Sequence, residues 1–365
     1  EFHVNSYFNL TASLIHRYIL GMNAQRLETS RLMQRFGFGP RPGEYAQALK
    51  DGVAATRAKV LTVPAVDAGA AKVVEPEITD LGKRPAANSK EIVPFSIALR
   101  NQTQQMSLWW LDRMAMSDHG LTEKMTWFWH GHWATSIQKL NYAMPMFIQN
   151  KTLRANCLGN FKTMSRAMIN DAALQFWLDG QESTAKAPNE NLGRELMELF
   201  VLGVGRYTED DVKASARALT GYQVEKSSGA ITFNAKRYDS KPVTILGTTQ
   251  VFTGDTLSDF LVARDDNATF IAERLWYRFM SSTEDMPKSF SAKSALVNRD
   301  IAAAVAAMAN DPAMRDSKND LVKAPVEWFI AACRALELTP SNLKTPGQLF
   351  NYLDKLGQVP FNPPN

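Results

Sequence analysis

The stretch "APNENLGRELMELFVLGVGRYTEDDVKASARALTGY", residues 187–222, decides the fold class of this chain. At 100° per residue, Glu190, Asn191, Arg194, Glu195 and Glu198 fill a polar arc of roughly 140°, with Leu192, Leu196, Met197, Leu199 and Phe200 opposite. Gly203 and Gly205 then supply stop signals. Thr208 is placed to cap a second helix, with Asp211 in position for a capping box and Gly221 at its end. Helix, stop, helix is the reading.

Outward from this unit the helical period recurs in both directions. Residues 29–37 lead into "GFGPRPGEYAQALKDG", where Pro42 and Gly43 open a helix that Gly52 closes. Residues 63–92 lack sustained periodicity and read as a long surface excursion. A long helix is expected from Val93 to Gly120, followed by helical blocks at about 123–139, 144–157 and 161–178. "AITF" and "PVTIL" are β-branched runs flanked by "KSSG" and "DSKP", which predicts a small β-hairpin within 222–253. Helices resume at about 256–281, 291–310 and 320–337. The expected fold is mainly α: a multi-helix globular domain over 29–365 with a small β-hairpin insertion, preceded by an N-terminal helix or extension over 1–28.

Bulk properties narrow the class further. A chain of 365 residues with 45% hydrophobic and 21% charged content can bury a sizeable core and is far from the disordered class. The formal net charge of +4 is small, and Lys and Arg are dispersed, so no nucleic-acid partner is expected. The nearest approach to a membrane span, "YFNLTASLIHRYILGM" at 7–22, is interrupted by Asn9, His16 and Arg17 and reads as an amphipathic helix. Cys157 and Cys333 form no CxxC, zinc or haem pattern, and composition favours two buried thiols over one disulfide. The opening "EFHVNS" carries neither Met nor signal peptide, as a processed or trimmed start would look.

Two segments concentrate the chemistry. On a helix, "MTWFWHGHW" at 125–133 places Met125, Phe128, Trp129, His132 and Trp133 on one apolar face, and His130 about 160° from His132. Histidines two apart converge on one metal from a strand but diverge on a helix, so a shared ion requires Gly131 to break the helix. Inside the aromatic face His132 is either a core imidazole bonded to a carbonyl or carboxylate, or a desolvated group facing a cleft. The arc at 187–200 has the same duality. Glu190, Arg194 and Glu198 at i, i+4 and i+8 form the charge ladder of an ordinary solvated helix. Turned inward, three carboxylates around one arginine suit acid/base work or a divalent cation. His3, His16 and His119 have no such companions.

Those two segments, with "VKAPVEWFIAACRAL" and "SRLMQRFGFGPRPGEYAQAL", closely resemble the bacterial family catalogued as domain of unknown function 1800, over about residues 29–365. The resemblance implies a helical bacterial protein, usually exported to the periplasm or beyond with a removable signal. It also implies a partner encoded nearby, from a second uncharacterised family that looks phosphatase- or sulfatase-like. It implies no settled activity. The family's recurrent polar positions fall on His130, His132, Asn189, Glu190, Asn191, Arg194, Glu195 and Glu198. Where the family commonly shows a His-Asp pair, this chain has Tyr238 and Asp239. It ends at "GQVPFNPPN", inside a motif that in the family normally runs on, so a C-terminal portion is expected beyond it.

Two functional readings stand at this level. In the first, an exported enzyme sets Glu190, Glu195 and Glu198 across a cleft from His130 and His132, walled by Trp127, Trp129 and Trp133, with Asn189, Asn191 and Asp239 as further contacts. Aromatic walls beside paired carboxylates suit a carbohydrate or other polar polymer. One Glu is then the general acid or base, a His shares the proton transfer, and Arg194 orients a carboxylate or holds an anion. A metal-assisted variant puts a divalent ion and bound water on His132, Glu195 and Glu198. In the second reading the protein is a non-catalytic binding or scaffold partner, or a subunit of an exported assembly, and the same polar residues fix helix packing.

Overall fold

A computed structural model describes residues 24–363; the amphipathic helix expected over 7–22, with His3 and His16, lies outside them. The chain is mainly α-helical. A helix over 24–35 (α1) precedes α2 (Glu44–Asp51) and α3 (Val53–Leu61). Residues 62–91 contain only one 3₁₀ turn, Ala70–Lys72. Then come α4 (Ile92–Met116), α5 (Leu121–His132), α6 (Ile137–Leu140), α7 (Ala143–Asn156), α8 (Phe161–Ile169) and α9 (Ala172–Trp177). The expected single block at 161–178 is two helices because Asp171 caps a fresh start, its side chain accepting from the Leu174 N–H.

The 187–222 unit folds as its caps demand. Asn189 caps α10 (Glu190–Glu195), and Thr208 with Asp211 forms the capping box of α11 (Glu209–Ala218). Gly193 lets the two helices touch, since a Cβ there would stand 3.1 Å from the Ala216 nitrogen. One difference from expectation is that α10 does not continue as α-helix to Leu202. Residues Leu196–Val201 form a π turn, with the Leu202 and Gly203 N–H groups both reaching the Met197 carbonyl.

The expected hairpin is two hairpins. "AITF" (β2, Ala230–Phe233) pairs antiparallel with β1 (Tyr222–Glu225), while β3 (Val243–Ile245) pairs with β4 (Thr248–Gln250). Each run found its neighbour in sequence, not the other run. The remainder is α12 (Gly254–Val262), α13 (Asp265–Leu275) with a second π turn at Trp276–Met280, α14 (Ser291–Ala295), α15 (Ile301–Asn310), α16 (Pro325–Ala335) and α17 (Pro346–Lys355).

Helix α5 is the organising element. The apolar side chains divide into two clusters, one holding Phe128, Trp129 and Trp133, the other holding Trp127 with Trp109, Trp110, Ile330 and Phe361. Because α5 runs between them, every residue from Glu123 to His130 is buried, and the single apolar face expected from the wheel becomes burial all round. Its charged residues therefore need internal partners. Glu123 accepts from Trp110 Nε1 at 3.0 Å and pairs with Arg113 and Arg154 at 2.9 Å. Lys124 pairs with Glu327 of α16 at 2.7 Å.

Candidate functional site

Helix α5 runs unbroken through Gly131, so the two histidines diverge as helical geometry requires. His130 packs edge-on against Trp110 and Phe361, and its Nε2 accepts from the Phe361 N–H at 3.2 Å. With Nε2 accepting, the proton of the neutral ring sits on Nδ1. His132 lies among Trp129, Trp133, Phe161 and Phe200, and its Nε2 donates to the Phe200 carbonyl at 2.9 Å. Its Nδ1 is a buried lone pair without a partner among the described residues. Burial pushes both imidazoles down to about 3; for His132 the nearby Arg274 charge adds to the same effect. Both rings are neutral at pH 7 and their hydrogen bonds go to main chain.

The carboxylates are placed elsewhere and are wetter. Arg194 binds Glu190 at 3.2 Å and Glu209 at 2.8 Å, with the Glu190 side chain 42% exposed. Glu198 accepts from the Tyr207 hydroxyl. Glu195 is half-buried, its Oε2 has no partner among the described residues, and burial followed by the Glu198 charge holds its carboxyl above the usual range. Asn189 is occupied as the cap of α10, accepting from the Asn191 N–H at 2.9 Å. Asp239 pairs with Arg217 at 2.6 Å and Tyr238 donates to the Phe252 carbonyl at 2.8 Å. Among the described residues no three His, Cys, Asp or Glu stand together as metal ligands, so His132, Glu195 and Glu198 form no such group. The two segments meet at Phe200, whose carbonyl takes the His132 hydrogen bond and whose ring lies 4.7 Å from that of Trp133.

Of the three tryptophans, Trp129 and Trp133 are sealed in the core. Trp127 lines a cavity of about 180 Å³ with Phe128, His130 and His132, closed on its other side by Arg274, Tyr277 and Arg278. No glutamate of α10 reaches it. Tyr277 and Arg278 also line a larger neighbour of about 340 Å³, formed by α1, the second π turn, the 320–323 segment and α16.

That second chamber was missed in the sequence. Among the described residues Arg31, Arg35, Lys124, Arg278 and Lys323 line it, against only Asp320 and Glu327. Arg31 donates to the Met314 and Asp316 carbonyls and to Asp320. Arg35 donates to the carbonyls of Phe279 and Met280, which end the π turn, much as His132 meets the Phe200 carbonyl in the first π turn. A signal was present: Arg31 with Arg35, and Arg274 with Arg278, are like-charge pairs at i and i+4, an arrangement that disfavours its own helix and asks for an outside reason.

Cys157 and Cys333 are both buried free thiols, and burial pushes each up to about 11. His119 donates to the Lys59 carbonyl at 3.0 Å. Among the described residues no helix is long and apolar enough to cross a membrane. The model of the family described as Protein of unknown function (DUF1800) matches residues 31–365. No curated protein and no solved structure matches the chain.

Proposed function

Since the chain belongs to the DUF1800 family, we propose that it is an exported bacterial binding protein, a non-catalytic partner within an envelope or extracellular assembly. The paired chambers beside Tyr277 and Arg278 are its ligand-facing part. One observation carries this reading: His130 and His132 are tied to main-chain atoms inside aromatic packing, while Glu190 and Glu198 are engaged by Arg194 and Tyr207. An imidazole held near a pKa of 3 takes up a proton too weakly to act as a general base near neutrality. Its role is to bond a helix-end carbonyl or a backbone N–H inside the core. The neighbouring phosphatase- or sulfatase-like product implied by the resemblance is the natural protein partner in this proposal.

The catalytic reading keeps one observation in its favour. Glu195 has a buried oxygen without a partner among the described residues and, through burial and then the Glu198 charge, a raised pKa. A single experiment separates the two. Purified chain is assayed on chromogenic glycosides, phosphate esters and sulfate esters, with Glu195→Gln and Glu198→Gln alongside. The binding reading expects no turnover above buffer. Turnover abolished by either substitution overturns it. Fractionation of the native host, with the chain expected outside the cytoplasm, tests the export half.

A further inference from the structure

We infer that the two chambers form one site for an oxyanion ester, a phosphate or sulfate carried on a hydroxylated ring, with the anion in the 340 Å³ chamber and the ring in the 180 Å³ one. This rests on the binding reading above and names its ligand class.

Five cationic side chains against two carboxylates leave the larger chamber a formal excess of three positive charges. Three of those cations are more than nine-tenths buried: Arg31 at 6% exposure, Arg35 at 7% and Lys124 at 4%. Charges set in low-dielectric walls hold a stronger potential than the same charges spread on a convex surface. Burial and then the neighbouring Arg31 lower Arg35 to about 10, as expected where positive charge is short of compensation.

The donors then divide by role. Arg31 and Arg35 are tied to carbonyls and Asp320, so they set the field without needing to touch the ligand. Lys323 is half-buried and makes no ion pair among the described residues. Arg278 gives one edge to Glu327 at 2.9 Å. Those two are the groups left to contact an oxyanion, as a point charge and a planar fork respectively. A volume of about 340 Å³ suits a small molecule.

The adjoining chamber sets the body of the ligand. Its walls are Trp127, Phe128 and the two imidazoles, neutral and flat, which suits the apolar faces of a sugar-like ring. His130 carries its proton on Nδ1 because Nε2 accepts from Phe361, so the ring has one N–H without a partner among the described residues. Arg274, also lining this chamber, makes no ion pair among the described residues and stands at the junction with Arg278. Negative charge seated beside Arg278 offsets the repulsion between it and Arg274.

The test is calorimetric titration of the full chain at low salt with inorganic phosphate, inorganic sulfate, glucose 6-phosphate, glucose 6-sulfate and glucose. One ester is expected to bind one-to-one and at least tenfold tighter than its inorganic ion, glucose is expected to be silent, and added salt is expected to weaken binding. The phosphate and sulfate arms decide which oxyanion is held. Lys323→Ala and Arg274→Ala lose no ion pair; each should keep the wild-type melting midpoint and weaken ester binding at least tenfold. Absence of saturable heat from every anion, or unchanged affinity in both variants, overturns the site. An ester bound no tighter than the inorganic ion overturns the second chamber's part in it. Failure of binding leaves the non-catalytic reading intact. Hydrolysis of the ester that Glu198→Gln abolishes removes that reading and leaves the anion site standing.

Discussion

Helices α5 and α10 carry the polar residues that stand out in the sequence, and the fold uses them in opposite ways. In α5, His130 and His132 are 2% and 4% exposed and answer only to backbone groups. In α10, Glu190 and Arg194 stand half in solvent and answer to other side chains. A polar residue surrounded by packing must be satisfied locally or cost about 1–3 kcal/mol, so its partner is dictated by the core. A polar residue in water has no such constraint. The difference teaches that chemical richness in a segment says little about chemistry performed there. The third region draws on two other segments that carry the family resemblance, and it collects the uncompensated charge among the described residues.

The largest effect that can break this contrast lies on α5. Trp129 is fully buried and its Nε1 donates to the Cys157 carbonyl at 2.9 Å. Trp129→Ala should destabilise by about 3–5 kcal/mol in urea unfolding. A loss below about 1 kcal/mol would show that α5 is not the central packing element.

Next, His132→Ala removes a packed ring and orphans the Phe200 carbonyl, with an expected loss of about 2–3 kcal/mol. His132→Phe should recover part of the packing but not the hydrogen bond. Recovery to wild type would mean the bond to Phe200 carries no weight.

The third is a pH dependence with a definite sign. Each imidazole falls from 6.5 to about 3 on folding, so between those values the unfolded chain takes up protons that the native state refuses. Their contribution is complete above about pH 6.5 and is lost as pH falls. Asp171 has the opposite sense: burial raises its carboxyl from 3.8 to about 7, so the native state holds that proton and gains stability on acidification through 7. Two groups against one leave a net loss of roughly 1.4 kcal/mol per pH unit below 6.5, or about 2 kcal/mol by pH 5. Asp171→Asn, which keeps the acceptor for the Leu174 N–H, should steepen that fall in denaturant midpoints measured across pH. A profile that stays level from 6.5 to 5 contradicts the burial of neutral imidazoles.

The smallest effect sharpens the other side. Glu190→Gln and Glu198→Gln should move stability by no more than about 0.5 kcal/mol, because exposed or half-exposed pairs contribute little. Glu195→Gln should be neutral or slightly stabilising, since it removes a carboxylate held near Glu198 with one oxygen unpartnered. A loss above about 1 kcal/mol from any of them would erase the distinction between the two helices.

Particular residues show how far reading from the sequence reached. Thr208 with Asp211 and the divergence of His130 from His132 were both legible, because capping and helical angle depend on residues within one or two turns. The π turn at Leu196–Val201 was not, since a widened turn leaves the apolar period almost unchanged. The pairing of "AITF" with Tyr222–Glu225 was missed because strand runs carry no label naming their partner. The site was less legible than the fold. His130, His132 and Trp127 do line a cavity, but its other wall is Arg274, Tyr277 and Arg278 and not the glutamates of α10.

By itself, then, the sequence determined a mainly α-helical chain, the capped start of α11, and the family to which it belongs. Only the tertiary structure decided that α5 runs between two apolar clusters, and that arginines from α1 and the second π turn gather around one chamber. Local geometry follows from residues a turn apart. Burial and electrostatic potential follow from which distant elements are brought together, and Arg31 and Lys323 meet only after nearly the whole chain has folded between them.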